Sequence, residues 1–268
     1  MREGATLSAG ARIGNRVRSI LLRVLPPRAW RGVLRFAPVR VVRDRFVGPS
    51  DTGHLAEGTV RFECLRFRFL APYGVWVKAR RRGIENRICR LLMTRCREGA
   101  IGIDVGANCG FISMVMALSV GSTGRVFSFE PDERFHRILE SNIRNNGLAA
   151  RCTPLRLAVG RGKGPTDVSL DEMVGRLALD RVDVLKIDVD GPDLDVLLGA
   201  RDLLKRWRPL VVVEMSANQA EIYGFLKDDV GYTTLLGMEG EPVVPGAWPL
   251  NLIAGDGDIA IPARGGLT

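Results

Sequence analysis

The string "DVGANCG", from Asp104 to Gly110, puts a carboxylate, an asparagine and two glycines into seven residues, and a second carboxylate, Glu130, lies twenty residues beyond it. The apolar residues before Asp104 read as a buried strand and those after Gly110 as an apolar helix. Such a bend offers a ligand the unpaired N–H groups and the positive dipole end of a helix start. Gly106 lets the backbone turn tightly, Asn108 sits in the bend, and Gly110 lets a ligand approach the helix. Asp104 repels phosphate at close range and suits a cationic amino group instead. The spacing also departs from the G-x-G-x-x-G of dinucleotide sites. Glu130 ends the next strand, where a carboxylate accepts hydrogen bonds from two ribose hydroxyls. The blander readings are an ordinary glycine turn and an acid that favours the following helix start. A ligand with a cationic amino-acid end and a ribose end is S-adenosylmethionine, so Asp104 with the glycine loop is expected to hold its methionine part and Glu130 its ribose.

A second group follows downstream. Lys186, Asp188 and Asp190 alternate at the end of a strand, so they can share one face. Glu214 ends the strand after that. Asp188, Asp190 and Glu214 can orient an acceptor hydroxyl, take its proton, or hold a divalent cation. The alternative for any one of them is a Lys–Asp ion pair or a helix-start charge. No full set of metal ligands can be read. His136 lies inside an amphipathic helix and reads as a surface or packing residue, while His54 has no assignable role. No N-P-P-Y or D-P-P-Y string occurs, which opposes methylation of a base or amide nitrogen.

Elements that hold these residues follow from periodicity. Strands are expected at 100–105, 125–130, 155–159, 182–188 and 209–214, with weaker ones near 230–237 and 250–262. Helices are expected at 109–120 and 132–146, the second closed by Gly147. Capping boxes are expected at Ser169–Glu172 and Ser216–Gln219, and a helix opening at Pro192. Upstream, residues 59–78 alternate like strands through Val75 and Val77, and 84–96 reads as a helix. Strands alternating with helices give a parallel sheet covered on both faces.

The 268 residues carry a net charge of +9, and residues 1–50 hold all of the excess: eleven Arg against Glu3 and Asp44. The rest is neutral, so the body is not a basic nucleic-acid binder, and no nucleic-acid partner is expected. Arg12 to Leu25 reads as an amphipathic helix ended by Pro26 and Pro27, with Trp30 and Phe36 following among further arginines. That pattern allows peripheral contact of residues 12–36 with an anionic membrane, or packing of the apolar stripe on the body. Arginines interrupt every apolar stretch before residue 50, so no leader is expected, and the longest uncharged run is too short to cross a bilayer. Five scattered cysteines without a C-x-x-C pair argue for reduced thiols in a cytoplasmic protein. The expected organisation is a basic arm over 1–50, a strand and helix cap over 51–99, and the cofactor-binding domain over 100–268.

"IDVGANCGF", "VFSFEP", "LKIDVDG", "VLLGARDLL" and "PLVVVEMS" resemble the FkbM methyltransferases, a branch of the class I S-adenosylmethionine-dependent fold. The resemblance covers about residues 73–216. It implies a doubly wound, mostly parallel seven-stranded sheet with a reversed last strand, here preceded by an N-terminal extension. It also implies methyl transfer to a hydroxyl of a sugar, glycolipid or secondary metabolite, so that a small-molecule or lipid-linked acceptor is the expected partner. Asp104, Gly106, Asn108, Gly110 and Glu130 match the family's cofactor motifs, and Lys186, Asp188 and Asp190 its later motif. Departures are Asp190, where the family usually has glutamate, and a stretch between Gly160 and Val168 shorter than the family's. Two other readings remain open at this point. A nicotinamide oxidoreductase is opposed by the loop spacing and Asp104. A methyltransferase fold that serves as a binding or scaffold protein without turnover is favoured by the shortened stretch.

Overall fold

The computed structural model describes residues 54–162 and 167–262. The helix expected over 12–25 and the basic stretch after it lie outside the described residues. Two compact units are present: 54–56 with Ala71–Val77, and Glu57–Leu70 with 78–262. In the first, the Tyr73 N–H donates to the His54 carbonyl at 3.0 Å.

The larger unit is built on a seven-stranded sheet. Its strands are β3 (Ile101–Val105), β4 (Arg125–Phe129), β5 (Cys152–Leu155), β8 (Val184–Ile187), β9 (Leu210–Glu214), β10 (Thr234–Gly237) and β11 (Asn251–Gly255). Their spatial order is β10-β11-β9-β8-β3-β4-β5. The pairs among β5, β4, β3, β8 and β9 are parallel, while β11 runs antiparallel to both β9 and β10. The reversed last strand is thus inserted next to the edge, as the resemblance implies. Strand order reverses at β3, which has β4 on one side and β8 on the other. The carboxyl ends of these three strands therefore border the crevice where such sheets bind ligands.

Helices α3 (Phe111–Ser119), α4 (Glu133–Asn145), α5 (Leu170–Arg176), α6 (Asp193–Leu198), α7 (Arg201–Trp207) and α8 (Gln219–Gly224) connect the strands; a π-helical turn, Phe225–Asp229, extends α8. They are preceded by α1 (Tyr73–Arg82) and α2 (Asn86–Arg95). Helix α3 is apolar except for Ser113 and Ser119 and is largely buried, whereas α4 presents only one face to the core. Asp132 caps α4 by accepting from the N–H groups of Arg134 and Phe135.

A separate hairpin of β1 (Leu55–Phe62) and β2 (Leu65–Pro72) carries Phe62, Phe67 and Phe69 on its buried face. All three rings meet Phe111 edge-on, at centroid distances of 6.1, 5.4 and 5.4 Å. The hairpin is also tied to α4: Asn142 and Asn146, one turn apart, accept from the N–H groups of Leu70 and Arg68 and donate to their carbonyls. Two amide side chains thus stand in for a neighbouring strand.

Four expectations are corrected. The sheet strand after α4 is Cys152–Leu155 rather than 155–159. Glu130 N–H donates to the Leu155 carbonyl as the pairing ends, and Ala158–Val159 form β6, which pairs instead with β7 (Asp167–Val168). Val75 and Val77 lie in α1, because Pro72 closes β2 and a Lys/Ala/Arg-rich run favours helix. Ser216 and Gln219 form no capping box: Asn218 precedes α8 in a left-handed conformation, Gln219 Nε2 donates to the Met215 carbonyl, and Ser216 Oγ donates to buried Asp193. Pro192 is the residue before α6, one position earlier than expected. Ser169 does accept from the Glu172 N–H, at 3.1 Å.

Candidate active site

The loop from β3 to α3 is held by the neighbouring strand. Gly106 and Ala107 N–H groups both donate to the Phe129 carbonyl at 3.0 Å. Gly106 has φ +79°, and a Cβ there would lie 1.8 Å from the Asp188 carbonyl oxygen, so only glycine fits this crossing of two loops. Gly110 has φ +84°, a left-handed conformation that favours glycine, and a Cβ there would press on the end of the Leu139 side chain of α4. Asn108 also takes a positive φ of 52°, tolerated because its Oδ1 accepts from the Cys109 N–H at 2.7 Å.

Glu130 clamps this loop. Its Oε2 accepts from the Asn108 N–H at 2.7 Å and its Oε1 from the Asp132 N–H at 3.0 Å. Burial raises its pKa, and those two N–H groups oppose the rise. Each oxygen keeps a lone pair, so the carboxylate can still accept from ribose hydroxyls.

Asp104 is fully buried. Its Oδ2 accepts from Ser113 Oγ at 2.6 Å, while Oδ1 has no hydrogen-bond donor and faces the Lys186 ammonium at 3.4 Å. Asp104 and Lys186 are lateral partners on adjacent strands, so their side chains share a face. Lys186 lies 3.4 Å from Asp188 Oδ2 as well, and donates to the Gly106 carbonyl at 3.4 Å. Burial disfavours its charge, but Asp104, Asp188 and Glu85 more than compensate, and its pKa is raised.

Asp188 and Glu214 follow the paired residues Ile187 and Val213 and hydrogen-bond to each other. A hydrogen bond between two carboxyl groups needs a proton on one of them. Burial pushes Asp188 upward, yet Lys186 and the bond from Glu214 hold it below the usual range. Glu214 goes the other way: burial, the bond to Asp188, and the charges of Asp188, Asp190 and Glu85 push it up to about 8. The pair therefore titrates as a unit, with Glu214 the member pushed up. Asp190 is exposed and strained, at φ 54°. It contributes charge to the group without a contact as close as that of Asp188.

Two members were not singled out in the sequence. Asp193 is fully buried and accepts from the Val189 N–H and Ser216 Oγ, joining the loops after β8 and β9. Glu85, at the start of α2, interacts electrostatically with Lys186, Asp188, Asp104 and Lys78, and burial raises its pKa. The histidines take no part: His54 is exposed, and His136 packs within α4 near Glu140. Burial pushes the Cys109 thiol up to about 12, so it is no nucleophile. No cluster of metal-ligating side chains occurs among the described residues.

Sheet order, reversed β11, loop and strand-end acid define a class I methyltransferase fold. Residues 159–233 match the family model described as Methyltransferase FkbM domain. The hexuronic acid methyltransferase AglP of Haloferax volcanii is 27% identical over 177 residues, covering 57% of this chain and 70% of that protein. These two matches bear out the resemblance to FkbM methyltransferases over part of the chain and support a methyltransferase. Among solved structures, the methyltransferase FkbM of Methylobacillus flagellatus KT is 20% identical with a TM-score of 0.45; the match covers 59% of this chain and 43% of that one. An O-methyltransferase of Bacillus cereus in complex with SAH is 18% identical with a TM-score of 0.43, covering 64% and 80%.

S-adenosylmethionine is the cofactor of this fold, and the residues present fit it. Glu130 offers a carboxylate with spare acceptor capacity beyond the β4 end, and Asp104 a buried carboxylate at the β3 end whose Oδ1 faces Lys186.

Proposed function

We propose that the protein transfers the methyl group of S-adenosylmethionine to a hydroxyl of a sugar, free or lipid-linked. The Asp188–Glu214 pair carries this reading. A sulfonium supplies an electrophilic methyl group, and the protein's tasks are to align an acceptor and to remove its proton. Glu214, raised to about 8, is matched to a hydroxyl's proton near neutral pH far better than an ordinary carboxylate. Asp188, kept ionised by Lys186, lowers the cost of the proton that Glu214 receives. Lys186 also donates to the Gly106 carbonyl, so one cation links the acid pair to the cofactor loop. The hexuronic acid named for the Haloferax relative supports a sugar as acceptor. The arginine-rich arm supports a lipid-linked form, since it would hold the enzyme at an anionic surface.

The test is methyl transfer from labelled S-adenosylmethionine to glycosides of glucuronic acid and glucose. Glu214→Gln should keep cofactor affinity and lose turnover by roughly two to four orders of magnitude, the usual contribution of a general base. Full turnover in that variant would remove Glu214 from the chemistry.

A further inference from the structure

A cavity of about 370 Å³ opens between the start of α2 and the connection from β10 to β11. Glu85, Asn86 and Arg87 line one wall, and Met238, Glu239 and Asn251 the other. Its size lies within the roughly 300–1,000 Å³ of small-molecule sites. It adjoins the acid pair from two directions. Asn251 is the lateral partner of Glu214 on the neighbouring strand, and Glu85 acts electrostatically on both Glu214 and Asp188. None of its lining residues belongs to the cofactor loop.

The lining is suited to hydroxyls. Carboxylate, amide and guanidinium groups present planar arrays of acceptors and donors, and Ile88 and Met238 add apolar surface for a C–H face. Arg87 pairs with Glu239 across the two walls, and its buried Nε has no hydrogen-bond partner. Glu85 is held at φ 48°, ψ 48°, a costly conformation for a residue with a side chain. Its carboxylate does not use its position to cap α2, although it is the residue before that helix. A strained residue that forgoes its local hydrogen bond and lines a cavity beside the acid pair has the geometry of a ligand contact.

We propose that this cavity docks the sugar ring of the acceptor, and that Glu85 determines specificity by accepting a hydrogen bond from the hydroxyl next to the one presented to Glu214. The proposal rests on the sugar O-methyltransferase reading above. Asn86 and Arg87 hold further ring oxygens, and Asn251 limits how deeply the ring enters.

Three measurements on the full chain separate this docking from the reaction itself: cofactor affinity by calorimetry, binding of phenyl glucoside and phenyl glucuronide by saturation-transfer NMR, and kinetics of methyl transfer. Met238→Trp, which fills the cavity, should abolish glycoside binding and leave cofactor affinity unchanged. Glu85→Ala should raise the acceptor KM about tenfold, and Glu85→Gln, which keeps an acceptor oxygen without the charge, should restore most of that KM loss. Glycoside binding that survives Met238→Trp, a KM unmoved by Glu85→Ala, or binding of neither glycoside by the wild type overturns the proposal. Glycoside binding that responds to Met238→Trp without any methyl transfer upholds the docking site and counts against the proposed reaction. Loss of cofactor binding in the wild type counts against that reaction alone.

Discussion

Lys186 is the residue on which the site depends, since it stands within 3.4 Å of both Asp104 and Asp188. Removing it leaves buried carboxylates without a counter-charge, and Lys186→Met should cost about 3–5 kcal/mol of stability, read by chemical denaturation. The upward shift of Glu214 makes a separate pH prediction. A carboxyl group raised in the folded state makes the native form bind more protons than the unfolded chain between its ordinary value and about 8. Stability therefore falls as pH rises through that window, and Glu214→Gln should flatten the dependence. Turnover moves oppositely, because a base works only when deprotonated: kcat/KM should climb through about pH 8 and level off above it. A kcat/KM independent of pH across that range would deny Glu214 the role of base. Glu130 is assigned to the cofactor's ribose rather than to the proton. Glu130→Ala should weaken S-adenosylmethionine binding by about 1.5–3 kcal/mol, the worth of hydrogen bonds to a charged acceptor, in a calorimetric titration. Unchanged affinity in a folded variant would contradict the ribose assignment.

Strand β3 and helix α3 aim the cofactor loop, and the hairpin and α4 hold that aim. Phe111 opens α3 and is gripped by the rings of Phe62, Phe67 and Phe69. Asn142 donates to the carbonyls of both Leu70 and Cys109, joining hairpin, helix and loop in one side chain. Asn142→Leu leaves these buried backbone groups unpaired at about 1–3 kcal/mol each, so it should lower the thermal midpoint and weaken cofactor binding together. Wild-type cofactor affinity in that variant would show that α4 does not position the loop. Much of this frame is legible in the sequence because it is local: Gly106, Asn108 and Glu130 announce a turn and a strand end by type and spacing. The reversed β11 could not be read from periodicity, which carries no direction; only the family resemblance supplied it. The strand at 152–155 was placed late, because Leu155, Leu157 and Val159 alternate more strongly than the Cys152–Leu155 stretch that pairs with β4. Glu85 gave no signal at all. Its role depends on a left-handed turn before α2 and on strands about a hundred residues away, and no short pattern encodes either.

At the scale of the whole chain, charge is concentrated in residues 1–50, whereas the remainder carries equal numbers of acidic and basic groups. Among the described residues no helix is long and apolar enough to cross a membrane. An amphipathic arginine-bordered segment instead predicts surface binding, worth about 1 kcal/mol per basic residue near anionic lipid and screened by salt. The full chain should sediment with anionic vesicles at low salt and lose that binding on deletion of residues 1–50, with cofactor affinity intact. A lack of vesicle binding at low salt, or unfolding on deletion, would favour packing of the arm on the body. The crevice beyond β3, β4 and β8 is proposed to serve methyl transfer, with the acid pair beside it deprotonating a sugar hydroxyl. The most direct measurement is mass spectrometry of a glucuronide and a glucoside incubated with S-adenosylmethionine carrying an isotopically labelled methyl group, wild type beside Glu214→Gln. The prediction is a labelled methyl ether on a ring hydroxyl with the wild type and almost none with the variant; label on a nitrogen or carboxylate of the acceptors tested, or equal labelling by both proteins, would contradict it.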